Sequence, residues 1–352
     1  MSSKHILVIR LSAMGDVAMV VPVLRAVVEQ HPDVKITVVS RAFFKPLFDE
    51  VKNVNFYEAD VKGKHKGIFG LYKLYRELKD LQPDAVADLH NVLRTKILRF
   101  FFSLKRINTA IIDKGRAEKK ALTRVENKVF KQLKTSHERY ADVFRGLGFT
   151  IDLANPEFPK SKNLPQSPPF PLGSPETSGG DGKKWIGIAP FAQHDSKMYP
   201  LDLIEKVILK LSKKNQYKIL LFGGGEQEIN ALKKLENQFE NTILVAGKLS
   251  FTEELQVISN LDMMLSMDSA NAHLAALQGI KTITLWGGTH PFAGFSAFNQ
   301  PAAHQILPDL EKYPKLPCSI YGNIICEGYQ DVMRSILPET VVEKIVNTIN
   351  YV

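Results

Sequence analysis

Short apolar runs alternate with stretches of helical spacing along nearly the whole chain. Residues 6–9, 35–40, 54–58, 84–89 and 107–112 read as strands, each a block of apolar or β-branched residues between polar breaks. Between them the apolar positions recur every three or four residues. The first such helix carries Val17, Val20, Val21, Leu24, Val27 and Val28, and Pro22 predicts irregular opening turns. Further helices are expected at 42–51, 70–81 and 91–104, then two basic helices ending near Gly146 and Gly148. The alternation resumes with strands at 185–189, 218–222, 242–246 and 261–266, and 281–286 as a last strand. Helices at 201–214, 227–239, 252–260 and 271–278 separate them, and a final helix is expected at 339–350. Strands alternating with helices predict α/β architecture, with parallel sheets covered on both faces.

The pattern breaks once. From residue 155 to 182 it gives way to Pro, Ser and Gly, with prolines at 156, 159, 165, 168, 169, 171 and 175. A chain of 352 residues is long for one core, so two doubly wound, Rossmann-like domains are expected. Their bounds are 1–154 and 183–337, with 155–182 as linker, a cleft between the domains, and a helix in 338–352 that packs back on the first domain.

Composition changes the picture in two respects. Only Cys318 and Cys326 occur, so no disulfide framework is implied and a reducing compartment fits. The opening residues read as a strand rather than a leader, and no apolar run is long enough to span a bilayer, so a cytoplasmic location is expected. The net charge is +9, but it is concentrated. Residues 94–139 carry fourteen Lys and Arg against four Asp and Glu, whereas the rest of the chain is about neutral. Apolar Leu122, Val125, Val129 and Leu133 are interleaved there, which predicts helices with one packing face and one charged face. A solvated basic face is the plain reading; an anionic partner is the functional one.

The candidate chemistry lies in the turns after strands. Asp268-Ser269-Ala270-Asn271-Ala272-His273 leaves a strand and opens a helix, an arrangement that points backbone N–H groups at one spot and suits phosphate. Asp268 or Ser269 acting as a helix cap is the alternative. Arg10-Leu11-Ser12-Ala13-Met14-Gly15-Asp16 stands where a dinucleotide fingerprint would, but it has one glycine and an acid where phosphate would dock. Asp16 is either a cap or a base directed at a neutral acceptor. Lys197 can set a cation against a pyrophosphate, or be a solvated lysine. In Phe222-Gly223-Gly224-Gly225-Glu226 the glycines allow close backbone approach and Glu226 can accept from a ribose. Ser12 and Gly15 join Gly223 and Gly224 as loop and phosphate-region positions. His273 reads first as a packed helix residue. No D-x-D pair and no metal-ligand spacing occur, so no metal is expected.

In combination these stretches resemble the glycosyltransferase family 9 heptosyltransferases. The matching elements are R-L-S-A-M-G-D-V at 10–17, A-P-F…S-K-M-Y-P at 189–200, F-G-G-G-E at 222–226, D-S-A-N-A-H-L-A-A at 268–276 and W-G-G-T-H-P at 286–291. The resemblance implies a GT-B fold with the acceptor on the first domain and the nucleotide sugar on the second. It makes Asp16 the catalytic base, and assigns Lys197, Glu226, Asp268, Ser269, Ala270 and His273 to the donor. Three departures stand out: Ala270 and Phe191 replace usual glycines, and Gly288 and His290 replace a usual Pro and Asp.

The expected activity is an inverting, metal-independent transfer of a sugar, heptose from ADP-heptose, to a lipopolysaccharide core or lipid A-type acceptor, without a cofactor. A non-catalytic sugar-nucleotide-binding protein and a nicotinamide-dependent oxidoreductase are the rival classes. The expected partners are the nucleotide-sugar donor, an anionic glycolipid and an anionic membrane surface at the inner face of the inner membrane, and no nucleic acid. Lys105, Arg116, Lys119, Lys120 and Arg124 are the candidates for acceptor and headgroup contacts.

Overall fold

The computed structural model describes residues 4–165, 170 and 182–350, so most of the expected linker lies outside the described residues. The chain divides into two compact units. The first is Met1–Gly115 with Lys134–Glu157, and the second is Arg116–Leu133 with Phe158–Val352.

In chain order the first unit contributes β1 (His5–Ile9), α1 (Met14–Ala18), α2 (Val20–Gln30), β2 (Lys35–Ser40), β3 (Val54–Glu58), α3 (Gly67–Lys79), β4 (Ala85–Asp88), α4 (Leu93–Ser103) and β5 (Asn108–Ile111). Helix α5 (Arg116–Leu122) belongs to the second unit, and α6 (Ser136–Gly146) returns to the first. The five strands form one parallel sheet in the order β3-β2-β1-β4-β5. Its inner strands are buried on both faces, which is why 6–9 reads as an unbroken apolar run. On one face Leu71, Leu74 and Leu78 of α3 meet Leu98 and Phe102 of α4 over Leu7, Ile9 and Val86.

The second unit holds β6 (Lys184–Ala189), α7 (Leu201–Ser212), β7 (Tyr217–Leu221), α8 (Glu226–Gln238), β8 (Thr242–Leu244), α9 (Phe251–Ile258), β9 (Met263–Met267), α10 (Ala270–Ala276), β10 (Lys281–Leu285), β11 (Gln305–Ile306) and α11 (Pro338–Asn350). Its sheet is also parallel, in the order β11-β10-β9-β6-β7-β8. Local chemistry sets several helix starts. Ser250 Oγ accepts from Glu253 N at 3.3 Å while Glu253 Oε2 accepts from Ser250 N at 2.8 Å, a reciprocal cap for α9.

The expected irregularity at Pro22 is a break between α1 and α2 at Met19. Residues 42–47 form a 3₁₀ helix rather than an α-helix, with Pro46 inside it. The two helices expected before Gly146 are α5 and α6, the second ending at Gly146, but 123–135 between them is not helical, so Val125, Val129 and Leu133 lie on no helix. Strand β11 was hidden by its two-residue length. Helix α11 packs within its own unit, where Val341 and Ile345 enter the core beneath α7 and β9. Cys318 and Cys326 form a disulfide, which two isolated cysteines did not suggest. Among the described residues no helix is long and apolar enough to cross a membrane.

Each sheet has one point where strand order reverses: between β1 and β4 in the first unit and between β6 and β9 in the second. Loops leaving the C-terminal ends of the two flanking strands diverge there, and open α/β sheets bind their ligands in the crevice that results.

Candidate functional site

In the second unit the reversal point is occupied by an ion pair. Lys197, from the loop after β6, places Nζ 3.0 Å from Oδ2 of Asp268, the first residue after β9. Both side chains are largely buried. Thr289, from the loop after β10, donates its hydroxyl to the same Asp268 oxygen at 2.9 Å. Three loops therefore converge on one carboxylate.

The seat of Lys197 explains several small residues. Ser196 O accepts from Gly288 N at 2.7 Å, and Ser196 Oγ donates to Gly322 O at 2.6 Å. A Cβ on Gly287 would overlap Ser196 O, and a Cβ on Gly322 would overlap Cδ of Lys197. Gly322 lies in the segment closed by Cys318 and Cys326, and Cys318 N donates to Gly288 O at 2.9 Å. A proline at 288 would lack the N–H that holds Ser196, so the departure to glycine is coupled to this seat.

Around the pair, Ser269 is the residue before α10, but its side chain makes no cap; its Oγ lies 3.1 Å from Oγ of Ser266. Ala270 opens α10 and His273 is buried within it. Glu226 is the exposed first residue of α8, after the close of β7, and Gly225 before it has φ of 83°. The adjoining amide of Gly224 donates to Glu228 Oε2 at 2.8 Å, and a Cβ on Gly223 would press on Leu232, Glu228 and Phe191. Buried His290 accepts from Phe292 N through Nδ1 and packs against the rings of Phe130 and Phe292. Burial, followed by the Lys128 charge, holds its pKa down at about 4, so it is a neutral imidazole at pH 7.

In the first unit the reversal point carries Asp16. Its Oδ2 is ion-paired with Arg10 and accepts from Ala13 N at 3.4 Å, a long contact of the capping kind. Arg10 is buried, donates to Leu89 O at 2.7 Å and lies over the Tyr140 ring. Tyr140 OH donates to Asp16 O at 3.3 Å, and Ser12 and Gly15 are half-buried beside them. His90, after β4, faces Leu11 N through Nδ1, and burial reinforced by Arg10 holds it down at about 3. Asp88, fully buried, accepts from the amides of His90 and Asn91 and from Arg99. Asp16 is thus fixed through Arg10 to both strands that flank the reversal.

Four of the five basic candidates are exposed and one is not. Arg116, Lys120 and Arg124 are exposed, and so is Lys105, which belongs to the first unit. Lys119 is instead buried, with Nζ 4.2 Å from the Phe295 ring centroid, because its stem is needed for packing. Leu122 and Leu133 bury against Ala293, whereas Val125 and Val129 face solvent. Among the described residues no three His, Cys, Asp or Glu are grouped to hold a metal.

The sequence singled out Lys197, Asp268 and Asp16 in loops after strands, which the structure sets at the two reversal points, and it missed Arg10, His90, Ser196, Thr289 and Gly322 as their supports. Arg10, Ser196 and Thr289 stood inside the quoted motifs; His90 had no signal beyond following a predicted strand.

The profile of glycosyltransferase family 9 (heptosyltransferase) matches residues 71–318. The chain is 23% identical over 290 residues to the lipopolysaccharide core heptosyltransferase OpsX of Haemophilus influenzae, covering 82% of this chain and 80% of that one. It is 25% identical over 369 aligned positions to lipooligosaccharide heptosyltransferase 2 of the same organism, covering 97% and 98%. Among solved structures, a family 9 glycosyl transferase from Veillonella parvula superposes with a TM-score of 0.73 at 20% identity, over 99% of this chain and 98% of that one. The Escherichia coli ADP-heptose lipopolysaccharide heptosyltransferase II gives 0.67 at 19% identity, over 98% of each. The fold is GT-B, and the nicotinamide reading has no support. With its profile match covering most of the chain, and two doubly wound sheets each carrying a polar cluster at the point of reversal, the chain belongs to glycosyltransferase family 9, the heptosyltransferases.

Proposed function

We propose that this glycosyltransferase moves heptose from ADP-heptose to the core region of a lipopolysaccharide acceptor, with inversion and without a metal. The observation that carries this reading is the Lys197–Asp268–Thr289 cluster at the reversal point of the second sheet. Lys197 is aligned before any diphosphate arrives, so its charge meets the leaving group without a search of rotamers; it supplies what a metal supplies in D-x-D enzymes. Both supports of Asp268 fall on Oδ2, which leaves Oδ1 to accept from a sugar hydroxyl. Glu226 is assigned to the ribose, and the backbone at Ser269 and Ala270, with Gly223 and Gly224, to the nucleotide.

Asp16 is assigned the role of base. Arg10 and Ala13 N engage Oδ2, so Oδ1 takes the proton as the acceptor oxygen attacks the anomeric carbon. The bond from that carbon to the diphosphate oxygen breaks, and ADP leaves on the opposite side. No cofactor takes part. Relatives named for lipopolysaccharide core transfer support the acceptor class, and an E. coli heptosyltransferase solved with ADP-2-deoxy-2-fluoro-heptose supports the donor. On this reading the acceptor is an anionic glycolipid, and the protein works from the cytoplasmic side, touching the inner membrane.

The test is turnover of ADP-heptose with a heptose-free core acceptor, beside UDP- and GDP-sugars. Asp16→Asn is expected to lose about 10²–10⁴ in rate while keeping donor affinity. Lys197→Ala is expected to lose donor affinity, read as a diminished thermal shift with ADP. A preference for another nucleotide, or near-normal turnover by Asp16→Asn, would overturn the donor or the base assignment respectively.

A further inference from the structure

One face of the first unit is used by nothing described so far. Helices α3 and α4 pack side by side, and each turns large apolar side chains outward. On α3, Phe69 is 91% exposed, with Ile68 and Tyr72 on the same face one turn apart. On α4, Phe100 is 59% exposed, and Leu104 follows one turn on, just past the helix end. The two sets are continuous: the Tyr72 ring meets that of Phe101 at 5.3 Å, and Phe101 meets Phe100 at 5.8 Å. This is not core failing to close, because α3 and α4 bury separate sets of residues beneath, Leu71, Leu74 and Leu78 with Leu98 and Phe102.

The charged residues nearest these side chains are basic, and the one acid of α3, Glu77, lies near its C-terminal end and pairs with Lys64. Residues 61–76 and 93–106 contain no acid and ten Lys and Arg. Lys66, Lys73, Lys105 and Arg106 are exposed among or beside the apolar side chains. We propose that this α3–α4 face is where the protein lies on an anionic lipid bilayer, its aromatic and aliphatic tips in the interface and its lysines and arginines against the headgroups. Aromatic rings favour the headgroup level, aliphatic tips favour hydrocarbon, and long basic side chains reach from one to the other. A second copy of the chain fits poorly, since a two-fold contact would set lysines against lysines. A nucleic acid is less well matched: Phe69, Tyr72 and Phe100 could stack bases, but the exposed aliphatic Ile68 and Leu104 beside them would meet only a polar backbone. Of the five basic residues expected at the membrane, Lys105 alone lies on this face.

The experiment is co-sedimentation of the full chain with phosphatidylglycerol vesicles and, separately, phosphatidylcholine vesicles, without donor or acceptor. Binding to the anionic vesicles alone is expected, weakening as salt rises. Phe69→Ser with Phe100→Ser should reduce it tenfold or more, and so should Lys66→Gln with Lys73→Gln. All four residues are exposed, so melting temperatures should hold, and turnover on a detergent-free, soluble core oligosaccharide should not change. Absent vesicle binding, binding indifferent to these variants, dimers that the Phe variants dissolve, or tighter binding to an oligonucleotide than to vesicles would each overturn the proposal. Since vesicle binding needs no turnover, any of these would leave the transfer reading untouched.

Discussion

Two supports converge on one oxygen of Asp268, and they differ in kind. Lys197 brings charge; Thr289 brings one directed hydrogen bond from a hydroxyl that is buried to 1% exposure. Thr289→Val keeps the shape and removes the donor, and hydrogen bonds to charged groups are worth about 1.5–3 kcal/mol. A loss of about tenfold or more in kcat/KM is expected, carried by donor KM, with circular dichroism unchanged. Gly322 permits a sharper comparison. Gly322→Ala and Gly328→Ala both place a side chain at positive φ, at 81° and 79°, so each should cost about 1–2 kcal/mol of stability. Only at 322 does the new methyl overlap Lys197; at 328 nothing lies within 4 Å. Donor affinity should therefore fall in Gly322→Ala and hold in Gly328→Ala, as isothermal titration with ADP would read.

At the scale of elements, the alternation of strand and helix was legible because parallel strands are buried on both faces and cannot hide their apolar runs. So were the positions of Asp16, Lys197 and Asp268, since each stands directly past such a run or in the loop that follows it. What could not be read was support from a distance. Arg10 reaches Leu89 across 79 residues, and Ser196 reaches Gly322 across 126. The segment after Arg116 misled for a related reason. Leu122, Val125, Val129 and Leu133 have helical spacing, yet only the first and last are buried, in a pocket supplied by the loop after β10. Tertiary anchoring overrode local pattern. Accordingly Leu122→Ala and Leu133→Ala should each destabilise the protein by about 2–5 kcal/mol, while Val125→Ser should change little, as urea denaturation would show.

Across the whole molecule, stability should depend on pH through buried imidazoles. His90 in the first unit and His290 in the second are held at about 3 and about 4, whereas the unfolded chain takes these protons near 6.5. The unfolded state binds more protons as pH falls below that value, so stability present at pH 7 is lost on the way down. Glu254 acts in the opposite sense. Burial raises it to about 7, so its contribution is complete below about 4.5 and is lost as pH rises through 7. The melting temperature should fall from pH 7 to pH 5. His290→Asn, whose amide oxygen can still accept from Phe292 N, should flatten that fall, and Glu254→Gln should steepen it and raise the melting temperature at pH 8. One feature of the chain path bears on synthesis. Residues 116–133 leave the first unit to complete the second, where Lys128 holds the carbonyl of Lys315 from 187 residues away. At ribosomal speeds of about 5–20 residues per second, that segment waits roughly 10–40 s for its partner to be made. During the wait the first unit can close around it, with both ends of the segment already anchored and its middle held out as an open loop. The segment's packing partners, Ala293 and its neighbours, come only with the later half, so the segment gains its buried contacts when that half is made.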